Sequence, residues 1–272
     1  MLKLSIFTHM TNPEERMDPW KEALSCFEYF ADEIIIVGKE WPYEFKWDYI
    51  GKVFQEGFEK CSGDWVINMP TDMFFHEKDK DKLMSELNNH NDQPAVVFPK
   101  FKFFNPTKCE FKTFDTLAIN KKSFPSVKFN GGGDLCLATL NNTVLDQNNI
   151  PIVNMPIWNY DSSFRTKEII AEDRARFARA WFREFEKWDD RGGETSELAY
   201  NAWFKMVKER YKKQIIKASI ADHPKFILNK LESLTKEQFG FDCFGIKDKL
   251  KPSFKDYFDF YKLKIKYRNI SL

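Results

Sequence analysis

The chain has 272 residues, with 42 lysines and arginines against 41 acids. That length allows one well-buried core with a smaller appended unit, and the near-zero net charge gives no electrostatic case for a nucleic-acid partner or a strongly charged polymer. Five cysteines, Cys26, Cys61, Cys109, Cys136 and Cys243, are scattered, odd in number and in no CxxC spacing, which argues against a disulfide framework and a zinc cluster and predicts reduced, mostly buried thiols.

The N-terminal MLKLSIFTHM has an apolar run too short for a signal-peptide core or a membrane span, so a cytoplasmic chain is expected. LSIF at 4–7 reads as a strand, PEERMDPWKEALSCFEYF at 13–30 as a helix and DEIIIVG at 32–38 as a β-branched strand closed by glycine. This β-α-β order predicts parallel strands. YIGKVFQEGFEKCSG at 49–63 places Val53, Phe54, Gly57 and Phe58 on one helical face, and DWVINM follows as a strand. KDKDKLMSELNNH at 78–90 has the charge of a surface helix, while PAVVFPKFKFF at 94–104, TLAIN at 116–120 and IPIVNMPIWNY read as further strands. From there RTKEIIAEDRARFARAWFREFEKW spaces Ile170, Phe177, Trp181, Phe185 and Trp188 as a helix facing the sheet, ended by Gly192 and Gly193. Two more helices follow, in TSELAYNAWFKMVKERYKKQIIK and HPKFILNKLESL. The expected fold class is α/β: a Rossmann-type mixed sheet flanked by helices over 1–165, with an aromatic-rich helical C-terminal region over 166–272 packed on it.

GDWVINMPTDMFFHE at 63–77 carries the sharpest signal, a buried strand that breaks at Pro70 beside a lone acid, Asp72. An acid at the carboxyl edge of an open α/β sheet faces the crevice where ligands bind and suits a divalent cation carrying a diphosphate. Asp before a polar helix is equally a common N-terminal cap, and on the isolated residues the two readings weigh the same. KFNGGGDLCL at 128–137 is the one glycine cluster in a glycine-poor chain, and suits either close approach of a ligand or a sharp turn capped by Asp134.

The order LSIFTHM, ADEIIIVGKEW, GDWVINMPTDMFFHEKD resembles the N-terminal half of family-two-like glycosyltransferases with the GT-A fold. One subgroup ends its third strand in a GDW…ADE…HE pattern, which Gly63, Asp64, Trp65, Asp72, His76 and Glu77 match. IWNYDSSFRTKE is similar to that subgroup's later HYG-type motif and its arginine through Tyr160 and Arg165, with Asn159 and Asp161 departing from it. Pro70 stands where many members carry the first Asp of DxD, and Met73 where the subgroup has Glu. The likeness covers roughly residues 1–190 and rests on the order of several weak motifs.

The resemblance implies a sugar transfer from a nucleotide-sugar donor to a hydroxyl of a glycan, lipid-linked or protein acceptor, with inversion, assisted by Mn²⁺ or Mg²⁺ on the diphosphate. It places Thr8 and His9 at the donor's base and ribose, and Glu40 at the ribose or base unless it is a turn residue. Asp72 would hold the metal, with Asp161 supplying the oxygen missing at Pro70. Arg165 and Lys167 would neutralise the leaving diphosphate unless they are plain surface charges. Asp134 would be the base that accepts the acceptor hydroxyl's proton. Two alternatives remain: a sugar-phosphate nucleotidyltransferase, whose glycine-rich basic loop THMTNPEER lacks, and a degenerate scaffold that binds glycan or nucleotide without turnover. The C-terminal KPSFKDYFDFYKLKIKYRNI suits either an anionic membrane surface or aromatics packed inward, and inward packing is the preferred expectation.

Overall fold

The structure is a computed structural model that describes residues 2–112, 114–130, 136–247 and 249–267. It opens with β1 (Leu4–His9), α1 (Trp20–Phe30), β2 (Glu33–Val37), α2 (Tyr49–Lys60) and β3 (Trp65–Asn68), and β1 pairs in parallel with both β2 and β3. The β-α-β expectation therefore holds. The first helix starts later than its periodicity suggests, because Pro19 stands at its N-cap and Pro13–Met17 form turns.

Next come β4 (Met73–Phe74), α3 (Lys80–Asn89), β5 (Ala95–Phe98), β6 (Lys100–Asn105), β7 (Lys108–Phe111) and β8 (Thr116–Asn120). The run at 94–104 is two strands, broken at Pro99, which has no N–H to give to a ladder. The first sheet has the order β2-β1-β3-β8-β5, with β8 antiparallel to both of its neighbours. A small sheet follows from β9 (Lys128–Asn130), β10 (Leu137–Leu140) and β11 (Thr143–Val144). A third joins β12 (Ile157–Asn159) and β13 (Ile216–Lys217) to earlier strands in the order β13-β7-β6-β12-β4. The result is a mixed α/β fold with helix-flanked sheets, as the sequence pattern predicts.

Period-two alternation builds the layers. Leu4, Ile6, Trp65, Ile67, Val96 and Phe98 share one cluster with Phe27 and Phe30 of α1, while Phe7, Val66, Ala95 and Val97 share another with Val53 and Phe58 of α2. Burying each large side chain stabilises by about 1.5–3 kcal/mol, an upper figure because the unfolded chain is itself partly collapsed. Gly57 lets α2 sit close on β1, since a Cβ there would lie 2.3 Å from the fully buried Phe7 ring. The cysteines carry no disulfide, and four of them are buried.

The C-terminal region comprises α4 (Lys167–Phe185), α5 (Ser196–Tyr211), α6 (Leu228–Glu232), α7 (Phe239–Asp242) and α8 (Phe254–Lys266). The aromatic stripe of α4 meets a different partner from the one its spacing suggests. Phe177, Trp181 and Phe185 pack on Phe45 and Trp47 of the segment after β2, with Trp47 edge-on to Trp181 at 5.3 Å. Arg176 and Arg183 donate to the carbonyls of Tyr43 and Phe45 in the same segment, and Arg179 and Arg183 pair with Glu44. α4 ends at Glu186 in a left-handed cap, before the glycine pair. Inward packing of the last segment holds only in part: Phe260 is partly covered and Tyr267 packs on Phe111 and Phe114, but no residue of α8 is buried and Phe254, Tyr257, Phe258, Tyr261 and Ile265 are turned to solvent. Among the described residues no helix is long and apolar enough to cross a membrane.

Candidate functional site

The carboxyl ends of β1 and β3 open into two adjoining cavities of about 230 and 350 Å³. His9, Trp41, Pro70, Asp72, Arg174 and Phe177 line both. The first is otherwise rich in charge and the second in aromatic and apolar walls, including Trp47, Phe54 and Trp203.

Pro70 opens a four-residue turn in which its carbonyl accepts from Met73 N at 3.0 Å, and this turn aims Asp72 into the cleft. Asp72 caps no helix, because the short 3₁₀ turn at Glu77–Asp79 takes its cap from His76. The antiparallel register of β4 and β12, Met73 opposite Asn159, brings Asp161 beside it, and Tyr160 N donates to the Asp72 carbonyl at 2.9 Å. Asp161 has φ +36°, a left-handed conformation that Asp tolerates better than most residues and that glycine would adopt freely. The position where the resembling motif carries glycine is thus one where the backbone calls for it.

The two acids differ sharply in their surroundings. Asp161 pairs with Lys102 and, at 3.5 Å, with Arg174. Burial alone would raise its carboxyl, but the charges of Lys102 and Arg174 outweigh it and hold it well below the usual range. Asp72 has no ion pair, and its buried Oδ1 has no hydrogen-bond partner. Burial first, and then the charge of Asp161, push it upward against the opposing pull of Arg165.

Around them runs a closed ring of four charges. Arg165 donates to Asp18 and Asp173, and Arg16 donates to the same two carboxylates, at distances between 2.5 and 3.2 Å. Arg165, expected to face a leaving diphosphate, is therefore already shared by two acids, although its side chain touches the first cavity. Arg174, which lines both cavities, is far less committed: it has one long contact to Asp161, an unpartnered Nε and the face of Trp203 at 5.7 Å.

His9 lies against Phe54, with ring centroids 4.8 Å apart, and faces Trp41 at 6.0 Å. Burial, reinforced by Arg16, lowers its pKa to about 4, so it is neutral at physiological pH. Its Nδ1 and the Trp41 Nε1 are both buried without a partner, as are Thr8 Oγ1 and Asn68 Oδ1 on the adjoining strands. Buried polar atoms in native proteins are nearly always paired, so the orphaned His9 Nδ1 and Trp41 Nε1, both on residues that line the cavities, leave this cleft able to take the polar groups of a ligand.

Three expected residues stand apart: Thr8, fully buried on β1, lines neither cavity. Glu40 is an exposed turn residue after β2, and Lys167 is exposed at the start of α4 with its ammonium over the Tyr200 ring at 4.9 Å; neither lines the two cavities. Asp134 lies outside the described residues. His76 and Glu77 serve the scaffold, Glu77 accepting from Lys225 N at 3.0 Å. Gly63 has no room for a side chain, since a Cβ would lie 2.7 Å from Ser5 N, and Asp64 accepts from Lys3 N at 2.9 Å. Sequence reasoning missed Arg16, Asp18, Trp41, Asp173 and Arg174. Helical spacing groups Arg176, Arg179 and Arg183 on one side of α4, where they hold the segment at 43–45, and leaves Arg174 on another, so it gave no signal for the missed residues.

No protein-family model matches the chain, and no curated protein matches it. Among solved structures it is similar to residues 1–349 of TarS from S. aureus, at 8% identity and TM-score 0.35 over 98% of this chain and 91% of that one. The same protein in complex with UDP-GlcNAc gives 11% identity and TM-score 0.35, over 98% and 92%. The mannosyltransferase PcManGT from Pyrobaculum calidifontis, in complex with GDP-Man and Mn²⁺, gives 7% identity and TM-score 0.36, over 74% and 69%. Likenesses this distant assign no activity.

Proposed function

We propose that the protein is a glycosyltransferase that moves a sugar from a nucleotide-sugar donor to a hydroxyl acceptor, with the donor seated across the ends of β1 and β3. One observation carries the reading: His9 Nδ1, Trp41 Nε1 and Asp72 Oδ1, all buried and unpartnered, converge with Arg174 on one aromatic-walled cleft. A ligand with a flat ring, hydroxyls and a diphosphate would satisfy that combination. Trp41 and neutral His9 would meet the base or ribose, and Arg174 the diphosphate, whose charge grows as it leaves. Arg165 then acts by holding the wall of the cleft.

The donor set for a metal is narrow. Asp72 offers one unpaired carboxylate, Asp161 is engaged by Lys102 and Arg174, and among the described residues no group of three His, Cys, Asp or Glu is placed to hold an ion. This fits a Mn²⁺ or Mg²⁺ that arrives on the diphosphate and keeps several waters, with Asp72 as its contact to the protein. It does not fit an ion held by side chains alone. When bound, such an ion would neutralise phosphate charge. The acceptor's proton would go to Asp134, and direct attack of the hydroxyl on the anomeric carbon would invert it.

A second reading, binding without turnover, is favoured by one feature: the cleft acids other than Asp72 are all committed to ion pairs. Thermal shift with UDP- and GDP-sugars, with and without Mn²⁺, tests donor binding, because a ligand at a hundred times its Kd stabilises by about 2.7 kcal/mol. Sugar release or transfer on the donor that binds then separates enzyme from binding protein. Absence of a shift with every nucleotide-sugar overturns both readings.

A further inference from the structure

The last helix of the described chain turns its apolar side away from the protein. Ser253 and Asp256 exchange hydrogen bonds at the start of α8. The less exposed positions, Asp256, Phe260 and Tyr267, recur every four or seven residues and mark the side against the body. Tyr267 fixes the far end, stacked on Phe111 at 5.7 Å and against Phe114 at 4.8 Å. On the opposite side stand Phe254, Phe258, Tyr261 and Ile265, spaced four, three and four residues apart and 89, 53, 55 and 65% exposed. That spacing is the signature of a face that is normally buried. Here it is bare, with Tyr257 beside it and the exposed Lys255, Lys262, Lys264 and Lys266 along its flanks.

We infer that α8 is the surface by which the protein lies on an anionic lipid bilayer, its aromatic face entering the boundary between headgroups and acyl chains and its lysines resting on the headgroups. Charge decides between occupants. A second copy docked face to face would bring together two flanks on which the exposed Asp259 is set against Lys255, Lys262, Lys264 and Lys266, a net positive charge on each side, while Asp256 is turned toward the body. An anionic headgroup layer instead complements those lysines. The residue types agree: phenylalanine and isoleucine supply apolar area, and Tyr257 and Tyr261 have the amphipathic rings that settle at a membrane interface. The inference stands on α8 alone and is independent of the donor site.

The test is co-sedimentation of the whole chain with phosphatidylcholine vesicles with and without phosphatidylglycerol, at low and high salt. The expected result is binding to the anionic vesicles only, weakened by salt. Either the double substitution Phe258→Asp with Ile265→Asp or the pair Lys262→Glu with Lys264→Glu should lower that binding roughly tenfold or more. All four side chains are exposed, so circular dichroism and the melting temperature should stay at their wild-type values. Failure to bind anionic vesicles overturns the inference, as does equal binding by the Phe258→Asp, Ile265→Asp protein. Self-association of the wild type in sedimentation velocity that these substitutions abolish would also overturn it, assigning the face to a second copy.

Discussion

Arg165 grips Asp18 with two nitrogens, Nε at 3.0 Å and Nη2 at 2.5 Å, across 147 residues of sequence. Its third nitrogen, Nη1, donates to Asp173 at 3.1 Å, and Arg16 closes the circle by donating to both acids. Each charge therefore has two opposite neighbours. Asp18 and Asp173 are both over nine-tenths buried, so the ring is a fixed wall of the cleft. It ties the segment after β1 to the start of α4, and so joins the sheet to the C-terminal helices at the cleft.

Arg165→Ala leaves two buried carboxylates short of a partner. Breaking a buried pair from one side typically costs about 3–5 kcal/mol, and Arg16 can compensate only in part. The expected outcome is a loss of that order in urea denaturation, with loss of activity following from the loss of structure. Arg165→Lys should recover little, because one ammonium cannot reproduce a fork that serves two acids. A variant as stable as wild type would show that the ring contributes nothing net and would return Arg165 to the diphosphate.

Local pattern made much of the scaffold legible. Alternation in LSIF and WVIN, and the helical spacing of Val53, Gly57 and Phe58, reflect burial on both faces of a sheet, which sequence neighbours report directly. Asp72 was legible at the cleft because it follows a strand end. The partners of Arg165 were not, since no periodicity links residues 18, 165 and 173. The aromatic stripe of α4 illustrates the same limit: spacing tells which residues share a face, and says nothing of whether the sheet or the loop at 42–48 covers it.

His9 makes stability depend on pH with a definite sign. Its folded pKa of about 4 lies below the ordinary 6.5, so as pH falls the unfolded chain takes up a proton first. The contribution is complete above the unfolded value and is lost between about 6.5 and about 4, amounting to roughly 3 kcal/mol at most. His76 and His223 are also lowered by burial and act in the same direction, so the measurement is a difference. Unfolding free energy of wild type should fall more steeply across this window than that of His9→Gln. Parallel curves would mean that His9 is solvated and ordinary.

Arg174 is 30% exposed and, besides lying over the Trp203 ring, has one ion pair, the 3.5 Å contact to Asp161, which keeps Lys102 as a partner if the arginine is removed. Arg174→Gln should therefore leave the melting temperature within a few degrees of wild type. A hydrogen bond to a charged group is worth about 1.5–3 kcal/mol, so affinity for a nucleoside diphosphate should fall roughly ten- to a hundredfold. Calorimetric titration with UDP and GDP measures it. Unchanged affinity would remove Arg174 from the diphosphate.

Asp72→Asn separates ligand binding from stability. The free protein holds this carboxyl half-buried, its inner Oδ1 unpartnered, and beside the ionised Asp161, so its pKa is raised and its charged form is disfavoured. A group whose folded pKa lies above its unfolded value subtracts stability once the pH exceeds the unfolded value, and at neutral pH the neutral amide relieves that penalty. The variant should be as stable as wild type or more so, and the gain should vanish as pH falls toward the ordinary aspartate range. Binding should move the other way. An amide oxygen carries no charge to set against a divalent ion on the diphosphate, so the tightening of nucleotide binding that Mn²⁺ produces in wild type should be lost, with metal-free affinity nearly unchanged. Titrations of both proteins with and without Mn²⁺ give the four affinities needed. If Mn²⁺ tightens binding equally in the variant, the ion does not touch Asp72, and the orphaned oxygen instead receives a hydrogen bond from the donor's own hydroxyls.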